Sequence, residues 1–127
     1  MVRRLLWALL LFSFCASASA HNPGMTVATV IVEEHRTLIE ISIKGSDLER
    51  AAGVDLLDPK GQVDPERLAR AAAAIGTHLR ATTDVEAGSA VCPLEVVELV
   101  AVEDGILAIL ETPCGAADAG LSYSSRL

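Results

Sequence analysis

Aromatic and basic residues are scarce in this sequence. Aromatic residues occupy 3% of its 127 positions, and three of the four, Trp7, Phe12 and Phe14, lie close to the N-terminus. The rest of the chain must therefore build its core from Val, Ile, Leu and Ala side chains. Lysine and arginine total 10 against 17 aspartate and glutamate residues, which gives a formal net charge of −7. Because nucleic acids and anionic lipid surfaces repel an acidic protein, we expect neither as a partner.

The sequence also lacks a block of about 20 apolar residues, which a transmembrane helix requires. Its N-terminal apolar block covers only residues 5–14, after two arginines and before the small residues 16–20. This order is typical of a secretory signal peptide with a small-x-small cleavage site, so we expect residues 1–20 to be removed. An uncleaved anchor is the alternative, whereas a lipoprotein signal is disfavoured because the residue before Cys15 is the bulky Phe14.

Cleavage after residue 20 leaves one extracytoplasmic domain, residues 21–127, with His21 at its N-terminus. This domain contains 8 basic and 17 acidic residues, a net charge of −9, and Tyr123 is its only aromatic residue. Its length suits a single compact domain, and we expect no transmembrane span in the mature chain. The expected location is the periplasm or the outside of the cell, where oxidising conditions permit disulfide bonds.

The first part of this domain has the pattern of a β-hairpin. Residues 25–32 are rich in β-branched side chains, and residues 38–44 alternate between isoleucine and polar side chains. Period-two alternation is typical of a strand with one buried face, so we expect two antiparallel strands. The polar residues 33–36 between them predict the hairpin loop.

The next part has the pattern of two helices. Residues 46–49, Ser-Asp-Leu-Glu, match a capping box, which predicts a short helix that ends at Gly53. Asp64 and Pro65 are typical N-cap and first-turn residues of a second, longer helix. An apolar stripe with helical spacing follows, formed by Leu68, Ala72, Ile75 and Leu79.

The chain returns to β patterns from residue 94 onward. Residues 94–102 and 106–112 are apolar runs separated by Glu-Asp-Gly, and Asp-Gly between such runs predicts a hairpin. Residues 121–127 are expected to form a final strand. Two strands, two helices and then three or four strands predict an α+β fold: a small antiparallel β-sheet or sandwich with a two-helix insertion packed on one side.

Two cysteines, Cys92 and Cys114, remain after cleavage and flank the second hairpin. If Asp104 and Gly105 form a two-residue loop, the residue numbers of each cross-strand pair sum to 209. The numbers of the two cysteines sum to 206, which places them about three residues out of register. Loosened strand ends can absorb such an offset, since bonded cysteines need Cα atoms within about 7 Å. We therefore expect a disulfide, with two free thiols or metal ligation as the alternatives.

Known catalytic motifs are missing from the sequence. It has no Gly-x-Ser-x-Gly elbow, no His-Glu-x-x-His pair and no glycine-rich phosphate loop, so we do not expect an enzyme. His21 is the candidate metal ligand, because an N-terminal histidine offers an amino group and an imidazole, which suit copper or nickel. No local histidine spacing supports this site, and the alternative is that His21 merely follows the cleavage point. We expect His35 and His78 to be solvated, and no other cofactor.

Several short motifs follow one another along the chain. They are Ala-His at residues 20–21, a strand pair at 25–44, Leu-x-x-Ala-x-Gly at 48–53, His-Leu-Arg at 78–80, the Cys-bounded hairpin, and Leu-Ser-Tyr at 121–123. In this arrangement the chain resembles the N-terminal extracytoplasmic region of the HupE/UreJ-like membrane proteins, a family tied by name to hydrogenase and urease accessory functions. Members of that family continue into several transmembrane helices, which this sequence lacks and which are expected to hold any nickel transport function. The resemblance thus implies a free-standing exported version or a truncated fragment of a membrane protein.

These features together predict an exported, non-enzymatic binding or accessory domain, with a membrane protein as its expected partner. A small periplasmic carrier of copper or nickel that uses His21 is the alternative. Metal titration of the processed protein and of its His21→Ala variant distinguishes the carrier from the binding domain.

Overall fold

The computed structural model describes residues 25–127, so the predicted signal peptide and His21 lie outside the described residues. The described chain contains seven β-strands and two α-helices. The predicted α+β fold with a two-helix insertion is confirmed. In chain order the elements are β1 (Val27–Val32), β2 (Thr37–Lys44), α1 (Gly45–Ala52), α2 (Pro65–Thr82), β3 (Thr83–Ala87), β4 (Ala90–Val91), β5 (Glu95–Val102), β6 (Gly105–Thr112) and β7 (Leu121–Ser125).

A four-stranded antiparallel sheet, in the order β1-β2-β6-β5, forms the centre of the fold, and β4-β3-β7 form a smaller sheet. The two helices, inserted between β2 and β3, pack on one face of the larger sheet, called the helix face below. Because side chains alternate between the two faces of a strand, this face takes every second residue of β2 and β6. These residues form the centre of the core: Ile39, Ile41, Ile43, Ile106, Ala108 and Leu110.

The start of α1 differs from the predicted capping box. Gly45 is the first helical residue, and its N–H donates to the carbonyl oxygen of Asp104 at 2.7 Å. A Cβ atom on Gly45 would lie 2.9 Å from that oxygen, so this contact requires glycine. The N-cap residue makes no side-chain cap bond. The capping box is therefore wrong, because Ser46 lies inside the first turn, whereas the predicted helix end at Gly53 is confirmed by its φ of 67°.

The Glu49 carboxylate, predicted to cap α1, instead holds the loop that follows it. Its Oε1 accepts hydrogen bonds from the backbone N–H groups of Leu56 at 2.7 Å and Leu57 at 2.8 Å. These two bonds lower the pKa of Glu49, and the charge of Arg67 lowers it further, against a desolvation effect that raises it. Since Leu56 is fully buried, the carboxylate fixes a loop segment that contributes to the core.

We expect Glu49→Gln to lower the free energy of unfolding at neutral pH. The substitution should also make this free energy depend less on pH. A carboxyl group with a lowered folded-state pKa stabilises the fold above its unfolded pKa, and this contribution is lost as the pH falls through the folded pKa. The amide keeps an acceptor but loses the charge, so the loss should be on the order of 1 kcal/mol after allowance for partial exposure. Urea unfolding measures the difference in free energy of unfolding between the variant and the unmodified protein, and this difference should shrink at about pH 3. A gap of equal size at both pH values would contradict the role of the charge.

The start of α2 is confirmed. Asp64 is the N-cap, and its Oδ1 accepts from the backbone N–H groups of Glu66 at 2.8 Å and Arg67 at 3.1 Å. Pro65 is the first helical residue, where its missing N–H costs nothing. The predicted apolar stripe faces the core, with Leu68, Ile75 and Leu79 buried and Ala72 half-buried.

The β5–β6 hairpin is confirmed, but its register differs from the predicted one. Val102 pairs with Gly105, so the two-residue loop is Glu103 and Asp104, and paired positions next to it sum to 207. Glu103 adopts a positive φ of 49°. Five strands follow the two helices rather than the predicted three or four, because β3 continues directly from α2 and pairs with the two-residue β4.

Candidate functional site

The two cysteines of the predicted disulfide lie together at the open end of the β5–β6 hairpin. A β-bulge at Val97 shifts the register, so that Glu95 pairs with Glu111 and the positions sum to 206. Cys92 and Cys114 have the same sum and lie just beyond this pair. Their Sγ atoms are 2.13 Å apart and their Cα atoms 6.2 Å apart. The predicted offset of about three residues is therefore wrong, and the predicted partners lie at disulfide-bonding distance.

The two histidines of the described chain have different environments. His35 is exposed at the tip of the β1–β2 hairpin, as predicted, with its Nε2 3.9 Å from Glu34 Oε1. His78 on α2 is half-buried, and its Nε2 is buried without a hydrogen-bond partner, so the prediction that this side chain is solvated is wrong. Residues 25–127 contain no group of three or more His, Cys, Asp or Glu side chains that could hold a metal ion. The metal role of His21, outside the described residues, stays a prediction.

The other face of the larger sheet, called the open face below, is not covered by any element of residues 25–127. It consists of the side chains that alternate with the core residues of β2 and β6, and of their cross-strand neighbours on β1 and β5. Seven of these fourteen side chains are aliphatic, whereas a sheet face in water usually carries polar residues. The fourteen are Val27, Thr29, Ile31, Leu38, Glu40, Ser42, Lys44, Glu95, Glu98, Val100, Val102, Leu107, Ile109 and Glu111.

An apolar band crosses the open face diagonally and consists of Ile31, Leu38, Ile109, Leu107 and Val100. Ile31 lies opposite Leu38, and Leu107 lies opposite Val100. Ile109 connects the two pairs, because it is the diagonal neighbour of Leu38 and the next outward residue after Leu107. Direct and diagonal cross-strand neighbours are close enough for their side chains to interact. Ile31 is 39% exposed and the other four are half-buried, so water reaches the whole band.

Glutamates border the apolar band. Glu40 and Glu98 lie on either side of it in one cross-strand row, and Glu95 lies opposite Glu111 in the next. Like charges placed directly opposite each other destabilise a sheet. Arg36 Nη1 lies 3.8 Å from Glu111 Oε1. Within residues 25–127 the other three glutamates form no salt bridge, so their charges are available to an external cation.

The sequence contains one signal for this surface. Residues 106–110 of β6 are all apolar, a pattern typical of strands that are covered on both faces. The structure buries only the helix-face side of this run, and its outward residues, Leu107 and Ile109, are half-buried. The run therefore predicts a second covering layer that the described residues do not supply.

Comparison with known proteins identifies no relative. No family model matches the chain, and no curated protein or solved structure matches it significantly. Neither helix within residues 25–127 combines the length and the apolar character needed to cross a membrane.

Proposed function

We propose that this protein is an exported, non-enzymatic binding domain that holds a basic amphipathic helix of a partner protein on its open face. The observation that carries the proposal is the continuous apolar band, uncovered by residues 25–127. Each Å² of apolar surface removed from water contributes roughly 25 cal/mol, so covering the band favours association. Contiguous exposed apolar surface with a polar border is typical of interaction sites.

The charges and dimensions of the open face favour a helix that carries basic residues. Neighbouring strands lie about 4.8 Å apart, so a helix about 10 Å wide covers two to three of them. Laid along the band, its apolar stripe would contact Leu38, Leu107 and Ile109. Lysine or arginine side chains beside that stripe would reach Glu40 and Glu98. Such complementary charges favour the correct partner and accelerate association.

Export supports the same proposal. The predicted signal peptide would deliver the domain to an oxidising compartment, and cysteines at bonding distance fit such a compartment. The resemblance to the extracytoplasmic region of the HupE/UreJ-like proteins makes a membrane protein the proposed source of the basic helix. Nickel transport is not part of the proposal, because in that family it is expected of the membrane helices.

Intact-mass measurement of the protein released by osmotic shock tests export. The expected mass is that of residues 21–127 less two hydrogen atoms, as cleavage and a disulfide require. A product that keeps the leader, or that stays in the cytosol, would contradict this part of the proposal.

Titration with a synthetic amphipathic helix of leucine and lysine tests the open face. The disulfide-bonded protein should bind this peptide, and Glu98→Lys should weaken binding roughly tenfold at low salt, since the new charge repels it. Ile109→Thr keeps a β-branched residue on β6 but interrupts the apolar band, and should weaken binding by a similar factor. Fluorescence anisotropy of the labelled peptide measures both effects.

Glu86→Lys is the matched control, because it makes the same charge change at an exposed strand residue of the smaller sheet. It should leave binding within about twofold of the unmodified protein, since Glu86 lies on the smaller sheet and not on the open face. Equal weakening by the two lysine substitutions would contradict the proposal. So would equally tight binding of a leucine–glutamate peptide.

A further inference from the structure

We infer that this protein forms a two-fold symmetric dimer in which β1 pairs antiparallel with β1 of a second copy. This inference concerns the edge of the larger sheet and does not depend on the open face. Among the strands of residues 25–127, β1 has a neighbour, β2, on one side only. All six of its residues are exposed, among them Val27 at 49% and Val32 at 47%. An exposed, apolar edge strand is a template for pairing with another chain.

The other sheet edges of residues 25–127 are protected in ways that β1 is not. The outer edge of β5 is interrupted by the bulge at Val97 and carries two glutamates. β4 has only two residues, and three of the five residues of β7 are serines, so neither strand offers a long apolar edge. Bulges, charges and short strands are the usual protection against edge-to-edge pairing. β1 has none of these features, and its register with β2 is unbroken over six residues.

The free edge of β1 presents an ordered row of backbone groups. The Glu33 N–H donates to the Arg36 carbonyl oxygen at 2.9 Å, which fixes the hydrogen-bonded pairs of this hairpin. Since such pairs alternate along an antiparallel ladder, the N–H and C=O groups of Ala28, Val30 and Val32 point away from β2. Where β7 approaches β1, a cleft of about 510 Å³ lies between Ala28 of β1 and residues 123–125 of β7. All six residues of β1 are exposed, so this edge is accessible.

Charge identifies a second copy as the partner of this edge. Two copies with a net charge of −9 repel each other, and residues 25–32 contain none of the 8 basic and 17 acidic residues of the domain. β1 is therefore the edge strand of the larger sheet along which copies can approach without bringing charges together. β1 of another copy is itself uncharged and rich in β-branched residues, so it suits this edge.

Two-fold symmetry gives this pairing a defined register. With the axis at Val30, Val30 lies opposite its own copy and Ala28 lies opposite Val32 of the second molecule. All three present their backbone groups to the partner, which gives about six hydrogen bonds across the axis. An axis perpendicular to the sheet keeps both open faces on the same side. The dimer thus has one eight-stranded sheet with a continuous open face.

Sedimentation equilibrium of the exported, disulfide-bonded protein tests the dimer. The unmodified protein should dimerise, and Val30→Lys and Val30→Glu should each weaken dimerisation at least tenfold, because two like charges meet at the axis. An equimolar mixture of the two variants should restore association, since opposite charges then face each other. Val97→Lys, on the opposite edge, is the matched control and should have no effect.

Hydrogen exchange provides a second measurement that requires no substitution. The amides of Ala28, Val30 and Val32 should exchange more slowly as protein concentration rises, whereas the exposed amides of β5 should not change. A protein that stays monomeric at high concentration would overturn the inference. Equal weakening by Val97→Lys, or a mixture of Val30 variants that stays monomeric, would do the same.

Discussion

The double variant Cys92→Ala/Cys114→Ala is expected to lose about 3 kcal/mol in the free energy of unfolding. The cysteines are 22 residues apart, and opening this loop increases the conformational entropy of the unfolded chain. Cys92 is only 3% exposed, so the substitution also removes packing contacts from the core. For a domain of this size the midpoint of thermal unfolding should fall by roughly 10–20 °C.

Reduction of the unmodified protein provides the comparison for this prediction. The reduced protein should unfold near the temperature of the double variant, because both lack the same covalent link. Thermal unfolding followed by circular dichroism measures both. An unfolding temperature that reduction leaves unchanged would show that the two thiols are not bonded in the isolated protein.

Leu110→Ala is expected to destabilise the protein by about 2–5 kcal/mol, as large-to-small substitutions in a packed core do. Leu110 lies on β6, between β2 and β5, and is fully buried on the helix face. Its cross-strand neighbours are Ile39 and Val96, which leave little freedom for the site to collapse. Urea unfolding measures the loss as a lower midpoint with an unchanged slope.

Leu107→Ala is the matched control for this substitution. It removes the same atoms from the same strand, but Leu107 points to the open face and is half-buried. The expected loss is about 1 kcal/mol, because part of its side chain already contacts water. Equal losses for the two variants would mean that a second layer covers the open face, and would contradict its assignment as an accessible surface.

The parts of the fold that depend on local chemistry are predictable from the sequence. The alternating isoleucines of β2 identify its buried face, because alternation of apolar and polar residues is the pattern of a strand with one buried face. Asp64 and Pro65 mark the start of α2, since each satisfies a requirement of the first turn alone. Gly53 marks the end of α1 for the same reason, as the left-handed residue of a helix C-terminus.

The register of the second hairpin is not predictable, because it depends on a contact distant in sequence. Asp104-Gly105 has the sequence of a two-residue loop, yet Gly105 is the first residue of β6. A Cβ atom on Gly105 would lie 2.6 Å from the carbonyl oxygen of Ile43, so glycine is required by the approach of β2. The loop therefore lies one residue earlier than the dipeptide indicates. The bulge at Val97, which aligns the cysteines, has no sequence signal of its own.

The candidate site follows only from the assembled sheet. Glu40 and Glu98 are 58 positions apart in the sequence, and they become neighbours of the same band because β6 separates β2 from β5. The outward half of the apolar run in β6 becomes visible only once its register is known. His78 shows the same limit, since its half-buried position depends on packing that no local pattern around it indicates.

Amide chemical-shift mapping of the isotope-labelled, disulfide-bonded protein tests the central claim most directly. On addition of the leucine–lysine helix, we predict that the largest changes in amide chemical shift will cluster at Leu38, Leu107 and Ile109. The amide chemical shifts of α2 should not change. The largest shifts on the helices, or no shifts at peptide concentrations that saturate binding, would contradict the claim that the open face is the docking surface.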